Sequence, residues 1–161
     1  MERVMKNLST KEILEAFSPK QRKLLVFPKD LAILRIEEVD SLGWVDVGTN
    51  RGFVVSSYKG ILRGVVLLRN NPTESSRRRT GMCNLCKTIH TGQGVRMFVT
   101  QDLKNPHRRM GDYYCDDLRC NLRAQKLISL PPNQMQETLG TDERVVRYLE
   151  ELDRLFERCY S

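Results

Sequence analysis

The spacing of four cysteines constrains this chain more than any other feature of its sequence. Cys83 and Cys86 form a C-x2-C pair. Cys115 and Cys120 form a C-x4-C pair, and 28 residues separate the two pairs. Two close pairs of thiolates on separate turns provide the four tetrahedral ligands of a structural zinc site. We therefore predict that these cysteines bind one Zn²⁺ in a treble-clef arrangement, with the first pair on a knuckle and the last cysteine in the first turn of a helix.

An alternative is that the cysteines are buried or redox-active thiols. A thioredoxin-type C-x2-C requires a surrounding βαβ pattern, which the sequence lacks. No apolar run reaches the length of a membrane span, and the N-terminus has no apolar signal core. We therefore predict a cytoplasmic protein with no membrane association. Thiols stay reduced there, which favours metal binding over disulfides, and we expect Cys159 to remain a free thiol.

The charge of the chain indicates an anionic partner. The net charge is +7, and residues 137–161 contain seven acidic residues and four arginines, so residues 1–136 have an excess of ten positive charges. Such a balance is typical of proteins that bind nucleic acid, acidic proteins or ribonucleoprotein surfaces. The candidate partner-binding residues are the cations before the knuckle, those in the loop before Cys115 and those on the helix after it: Arg77, Arg78, Arg79, Arg108, Arg109, Arg119, Arg123 and Lys126.

The patterns along the chain predict an α+β fold. A small mixed or antiparallel sheet is expected over residues 42–70, with Tyr58-Lys59-Gly60 as a hairpin turn, and the treble clef over residues 81–127. Helices flank both. A capping box from Ser9 to Glu12 marks the first N-terminal helix, and Ser18-Pro19 ends it and opens a second helical turn. Trp44 is expected in the core. Residues 1–130 are predicted to form one domain.

A C-terminal amphipathic helix is predicted within residues 131–161. Its apolar residues recur at spacings of four and three: Val145, Leu149, Leu152, Phe156 and Cys159. Such a seam either packs on its own domain or forms a dimer or partner helix. Both alternatives remain open at this stage, although we expect a monomer.

Five segments resemble the elongation factor G-binding family, which includes FusB-type fusidic acid resistance proteins. They are SPKQRKLLVFPKDL at 18–31, LGWVD at 42–46, the strand GVVLLRN, TGMCNLC at 80–86 and YYCDDLRCNL at 113–122. The resemblance spans about residues 9–127 and is to the family's C-terminal treble-clef zinc-finger domain. The cysteine-centred motifs are its most specific part.

The resemblance implies a function in translation. Family members of the resistance type bind elongation factor G and release it from ribosomes on which fusidic acid has trapped it, without chemistry on the drug. In those proteins an N-terminal helical bundle precedes the similar region, and a histidine is among the zinc ligands. This sequence begins without such a bundle, and it offers Cys86 at the ligand position, with His90 four residues later as a substitute.

Two further functions are weighed against this one. A zinc finger with basic loops is also typical of proteins that bind ribosomal RNA or other nucleic acid. An enzyme is not expected, because four thiolates close the zinc coordination sphere. The two histidines, His90 and His107, form no nucleophile–base motif with their neighbours either.

Overall fold

The computed structural model describes residues 8–29, 41–72 and 80–160. Helices near both ends enclose one large sheet, and a two-stranded hairpin and a short helix lie beside it. In chain order the elements are α1 (Thr10–Ala16), α2 (Pro19–Arg22), β1 (Ser41–Asp46), β2 (Arg51–Tyr58), β3 (Ile61–Arg69), β4 (Gly81–Met82), β5 (Ile89–His90), β6 (Val95–Gln101), β7 (Arg109–Cys115), α3 (Cys120–Ala124) and α4 (Thr141–Tyr160).

The sheet has five antiparallel strands in the order β1-β2-β3-β6-β7. The predicted segment 42–70 supplies three of them, and its apolar run GVVLLRN forms the central strand β3, as expected. The sheet also extends further than the sequence indicated. Leu68 of β3 pairs with Val99 of β6, so the β6–β7 hairpin that leads to Cys115 continues the same sheet.

The hairpin turn between β2 and β3 was predicted from composition. Lys59 and Gly60 have φ values of 50° and 76°, and Tyr58 pairs with Ile61 across them. Two consecutive positive φ values characterise the two-residue turn that matches the twist of antiparallel strands. The turn therefore sets the register of the two longest strands.

Helices α1 and α2 cover one face of the sheet. The predicted capping box is present, with Ser9 bonded to Glu12, and the structure adds a second one in which Ser18 is bonded to Gln21. Phe17, between the two helices, packs edge-on against Phe53 of β2. Trp44 is buried in the same cluster, as predicted, and its indole N–H donates to the carbonyl of Val26 at 2.9 Å.

Helix α4 packs against the other face of the sheet. Leu152, Phe156 and Cys159 are buried in the core as the seam predicted, together with Tyr148 and Leu155. The interpretation in which this helix packs on its own domain is therefore confirmed. The predicted boundary at residue 130 stays a prediction. Within the described ranges, no helix is long and apolar enough to cross a membrane.

Candidate metal centre and partner surface

The first cysteine pair lies on a tight turn between β4 and β5. The N–H of Cys83 donates to the carbonyl of Thr88 at 2.9 Å, and the N–H of Lys87 donates to the carbonyl of Cys83 at 2.8 Å. Lys87 adopts the left-handed conformation that closes this turn, with φ of 62°. The N–H groups of Leu85 and Cys86 point at the sulfur of Cys83, at 3.4 and 3.5 Å. These donors stabilise a thiolate, so the predicted knuckle is present.

The second pair joins a strand to a helix. Cys115 ends β7 and Cys120 begins α3. The chain reverses between them at Leu118, which has φ of 55° and whose N–H donates to the carbonyl of Cys115 at 3.0 Å. Asp116 and Asp117 lie before this helix, because the residues after Cys115 form a turn and the helix begins at Cys120.

The four sulfurs converge into one buried cage. Each sulfur lies within 4.8 Å of the others. The Sγ–Sγ distance is 3.6 Å from Cys83 to Cys120 and 3.5 Å from Cys86 to Cys115. A tetrahedron with Zn–S bonds of 2.3 Å has edges of about 3.8 Å, whereas a disulfide requires about 2.05 Å. The arrangement therefore fits a four-thiolate metal site with no open coordination position.

The protonation equilibria of the four cysteine thiols indicate why the cage requires a cation. The pKa of Cys86 lies well below its usual value, because Cys115 and then Cys120 form hydrogen bonds to its sulfur. The pKa of Cys120 is raised well above its usual value by its hydrogen bond to Cys115 and by those to the other two sulfurs. Four buried thiolates cannot all ionise beside one another without a counter-charge. A divalent ion supplies that charge and displaces the protons.

His90 lies beside the cage. Its Nε2 is 3.3 Å from the sulfur of Cys115, within hydrogen-bond distance. Burial, and next the positive charge of Arg123, lower the pKa of His90 and so favour its neutral imidazole. Among the described residues, the group that could hold a metal consists of the four cysteines. The four sulfurs therefore stay the predicted ligand set, and His90 is placed to orient Cys115.

Asp116 connects the cage to the sheet, a role that was not predicted from the sequence. Its carboxylate forms ion pairs with the Nη1 of Arg69 at 2.9 Å and the Nε of Arg96 at 2.8 Å. Its N–H donates to the carbonyl of Gly94 at 2.8 Å. Arg69 ends β3 and Arg96 lies in β6. These ion pairs therefore hold Asp116, the residue after Cys115, against the sheet. The sequence signal that could have indicated this role is the acidic residue directly after a ligand cysteine.

The predicted cationic face of the finger helix is not continuous. Helix α3 spans five residues, so Arg119 is its N-cap and Lys126 lies beyond its end. The Arg123 side chain is 13% exposed and donates two hydrogen bonds to Asp117, at 2.6 and 2.8 Å. Arg123 is therefore committed to an internal ion pair, Arg119 is half-buried, and Lys126 is exposed.

The other candidate cations fall in two groups. Arg108 and Arg109 are exposed at the end of the β6–β7 loop, and Arg108 lies 3.8 Å from the carboxylate of Asp102. Arg77, Arg78 and Arg79 lie outside the described residues. The structure therefore brings Arg108 and Arg109 together, on a loop separate from Lys126.

A closed cage carried by a knuckle and by the first turn of a helix defines a treble-clef zinc finger. The model of the FBP C-terminal treble-clef zinc-finger family matches residues 12–159, so the chain belongs to that family. This confirms the predicted resemblance. Together with the four buried sulfurs, it also confirms zinc as the cofactor.

A solved structure extends the comparison. The chain is similar to the fusidic acid resistance protein FusC, with a TM-score of 0.58 and 15% sequence identity. The match covers 96% of this chain and 60% of the FusC chain, so this chain corresponds to less than two thirds of that protein. At such identity the likeness shows the fold alone. No curated protein matches the chain.

Proposed function

We propose that this chain is a cytoplasmic, zinc-stabilised adaptor that binds elongation factor G and modulates its release from the ribosome. The observation that carries the proposal is the four-sulfur cage within a family match that spans residues 12–159. The partner follows from the resemblance to elongation factor G-binding proteins. Likeness to a fusidic acid resistance protein supports the same function.

In this proposal the zinc has a structural role: it fixes the partner-binding surface and takes part in no reaction. The four sulfurs leave no position for water or substrate on the metal. The cage belongs to the same core cluster as Tyr148, Leu152 and Leu155 of α4, so it joins the knuckle, α3 and the C-terminal helix. Binding of structural zinc supplies on the order of 10 kcal/mol, comparable to the stability of a whole domain, about 5–15 kcal/mol. Loss of zinc therefore removes the partner surface together with the fold, and we propose no enzymatic activity.

Calorimetric titration with purified elongation factor G tests the proposal. The zinc-loaded chain should bind with a stoichiometry of one to one, and the chelated protein should not bind. A Cys159→Ser variant is the matched control, because it removes a thiol that lies outside the cage and should retain both zinc and affinity. Absence of binding by the zinc-loaded chain at tens of micromolar would refute the proposed partner.

The exposed basic loop favours a second candidate function, the binding of ribosomal RNA. Lys104, Arg108 and Arg109 are all exposed between β6 and β7. RNA affinity measured against salt distinguishes this function from protein binding. A slope of log K on log salt of about −0.7 for each phosphate contact on a single strand would support it, whereas a flat dependence would exclude phosphate contacts.

A further inference from the structure

A groove with a volume of about 650 Å³ separates α2 from the loop between β6 and β7. We call it the α2 groove. Its floor includes Leu68 of β3 and Val99 of β6, which face each other across the strands. Leu24 lines it on the side of α2, and Leu103 and Pro106 line it on the side of the loop. Apolar side chains therefore lie on its floor and on both walls, and the groove lies away from the cysteine cage.

The floor of the α2 groove leaves a large apolar side chain accessible. Leu68 is 49% exposed although it belongs to the central strand of the sheet. Central strands usually bury such side chains, because apolar area in contact with water is unfavourable. An exposed apolar floor bordered by polar residues is typical of a surface that binds another protein.

The charged groups around the α2 groove are mainly cationic. Lys20 lies on the α2 side and Arg109 on the loop side, and both are exposed. Within the described part of the chain, neither has an ion-pair partner. Arg51, on the floor, faces Asp46 across the strands, so its charge is partly balanced.

One acidic side chain lines the groove among the described residues, and it is already engaged. The carboxylate of Asp102 is buried and accepts a hydrogen bond from the N–H of Lys104 at 2.9 Å. It also lies 3.8 Å from the Nη1 of Arg108. Among the residues that the structure describes, the positive charges at the two walls are therefore uncompensated, and they favour an occupant with acidic groups on both sides of an apolar centre.

We propose that the α2 groove receives an apolar segment, flanked by acidic side chains, of the protein that this chain binds. The inference rests on the proposed function, in which that protein is elongation factor G. The apolar centre of the segment covers Leu68 and Val99. Its flanking carboxylates pair with Lys20 on one wall and with Arg109 on the other.

Two variants test the inference by titration with elongation factor G. Leu68→Glu places a negative charge on the apolar floor and should weaken binding by at least about tenfold, since apolar anchors at the centre of an interface dominate its affinity. Val47→Glu is the matched control. Val47 is 77% exposed in the β1–β2 turn, outside the groove, and the same change there should alter affinity by less than about twofold.

A double reversal, Lys20→Glu with Arg109→Glu, tests the charges. It should weaken binding and make the remaining affinity less dependent on salt. Zinc content and the thermal midpoint are measured for every variant, and the inference requires that both stay at parental values. Should Leu68→Glu lose its fold, the milder Leu68→Thr replaces it, because threonine is polar yet has the β-branched shape that strands favour.

The outcomes separate the inference from the proposed function. If the parent chain binds elongation factor G and both groove variants bind as tightly as Val47→Glu, the groove is not the interface, although the proposed function stands. If the parent does not bind, both are refuted. Sedimentation of the parent gives a third outcome: a dimer that Leu68→Glu dissociates would make a second copy of this chain the occupant and overturn the inference.

Discussion

Asp116 should contribute to stability well beyond an ordinary surface carboxylate. The substitution Asp116→Asn keeps the size of the side chain and removes its charge. Arg69 is 7% exposed and Arg96 is 14% exposed, and their guanidinium groups share this one carboxylate. Both cations would therefore be left without their counter-charge inside the protein.

The magnitude follows from the burial of the three groups. Removing one partner of a fully buried ion pair costs about 3–5 kcal/mol. The Asp116 side chain is 34% exposed, so solvent screens part of the interaction and lowers the expected loss to about 2 kcal/mol. For a chain of this size that loss lowers the thermal midpoint by about 4–8 °C. Because Asp116 follows Cys115, we also expect zinc affinity to fall by about tenfold.

Urea unfolding of the zinc-saturated proteins measures the loss of stability. Competition with a chromophoric chelator measures the loss of zinc affinity. Glu150→Gln is the control, because it makes the same chemical change at an exposed position of α4. Adding Arg96→Met to the Asp116→Asn variant should recover part of the lost stability, since it removes one uncompensated cation. The reasoning fails if Asp116→Asn unfolds within about 0.5 kcal/mol of the parent.

Three further predictions concern single side chains. Cys120→Ser should lose stoichiometric zinc and unfold the finger, and metal analysis of the purified protein together with circular dichroism checks this. Arg123→Glu should cost about 2 kcal/mol in urea unfolding, because it breaks the partly buried pair with Asp117, which solvent screens in part. Lys126→Glu, at an exposed position, should stay within about 0.5 kcal/mol. Burial raises the pKa of the Cys159 thiol to about 11 from an ordinary 9.0, so the stability it contributes is complete below pH 9 and is lost as the pH rises towards 11. Cys159→Ala should therefore make the alkaline fall in unfolding free energy shallower over that interval, and equal slopes for variant and parent would contradict the assignment.

The zinc site could be predicted from the sequence because its geometry is local. Each pair of cysteines is separated by two or four residues, and a single turn brings such neighbours together whatever the rest of the chain does. The hairpin turn at Lys59-Gly60 and the capping box at Ser9 are local in the same sense. For these features the sequence itself determines the backbone conformation.

The role of each charged residue was decided by the tertiary structure. Arg123 was predicted to be an exposed contact residue, but the turn after Cys115 places Asp117 against it. Asp116 meets Arg69, 47 residues away in the sequence, only because β3 and β6 lie side by side. Periodicity shows which face of an element is polar, but it does not show which opposite charge reaches that face.

The extent of the sheet was also decided by the tertiary structure. Alternation of apolar residues identified the strands, yet the pairing of Leu68 with Val99 joins two hairpins that are separate in the sequence. That pairing depends on how the core packs α1 and α2 on one face of the sheet and α4 on the other. The sequence by itself determined the metal and its four ligands as a prediction, because ligand spacing is a short-range property. Only the tertiary structure decided that the ligands, the sheet and the C-terminal helix form one body, with the α2 groove on the face of the sheet opposite α4. The physical reason is that long-range packing selects among many pairings of elements, all of which are equally compatible with the local sequence pattern.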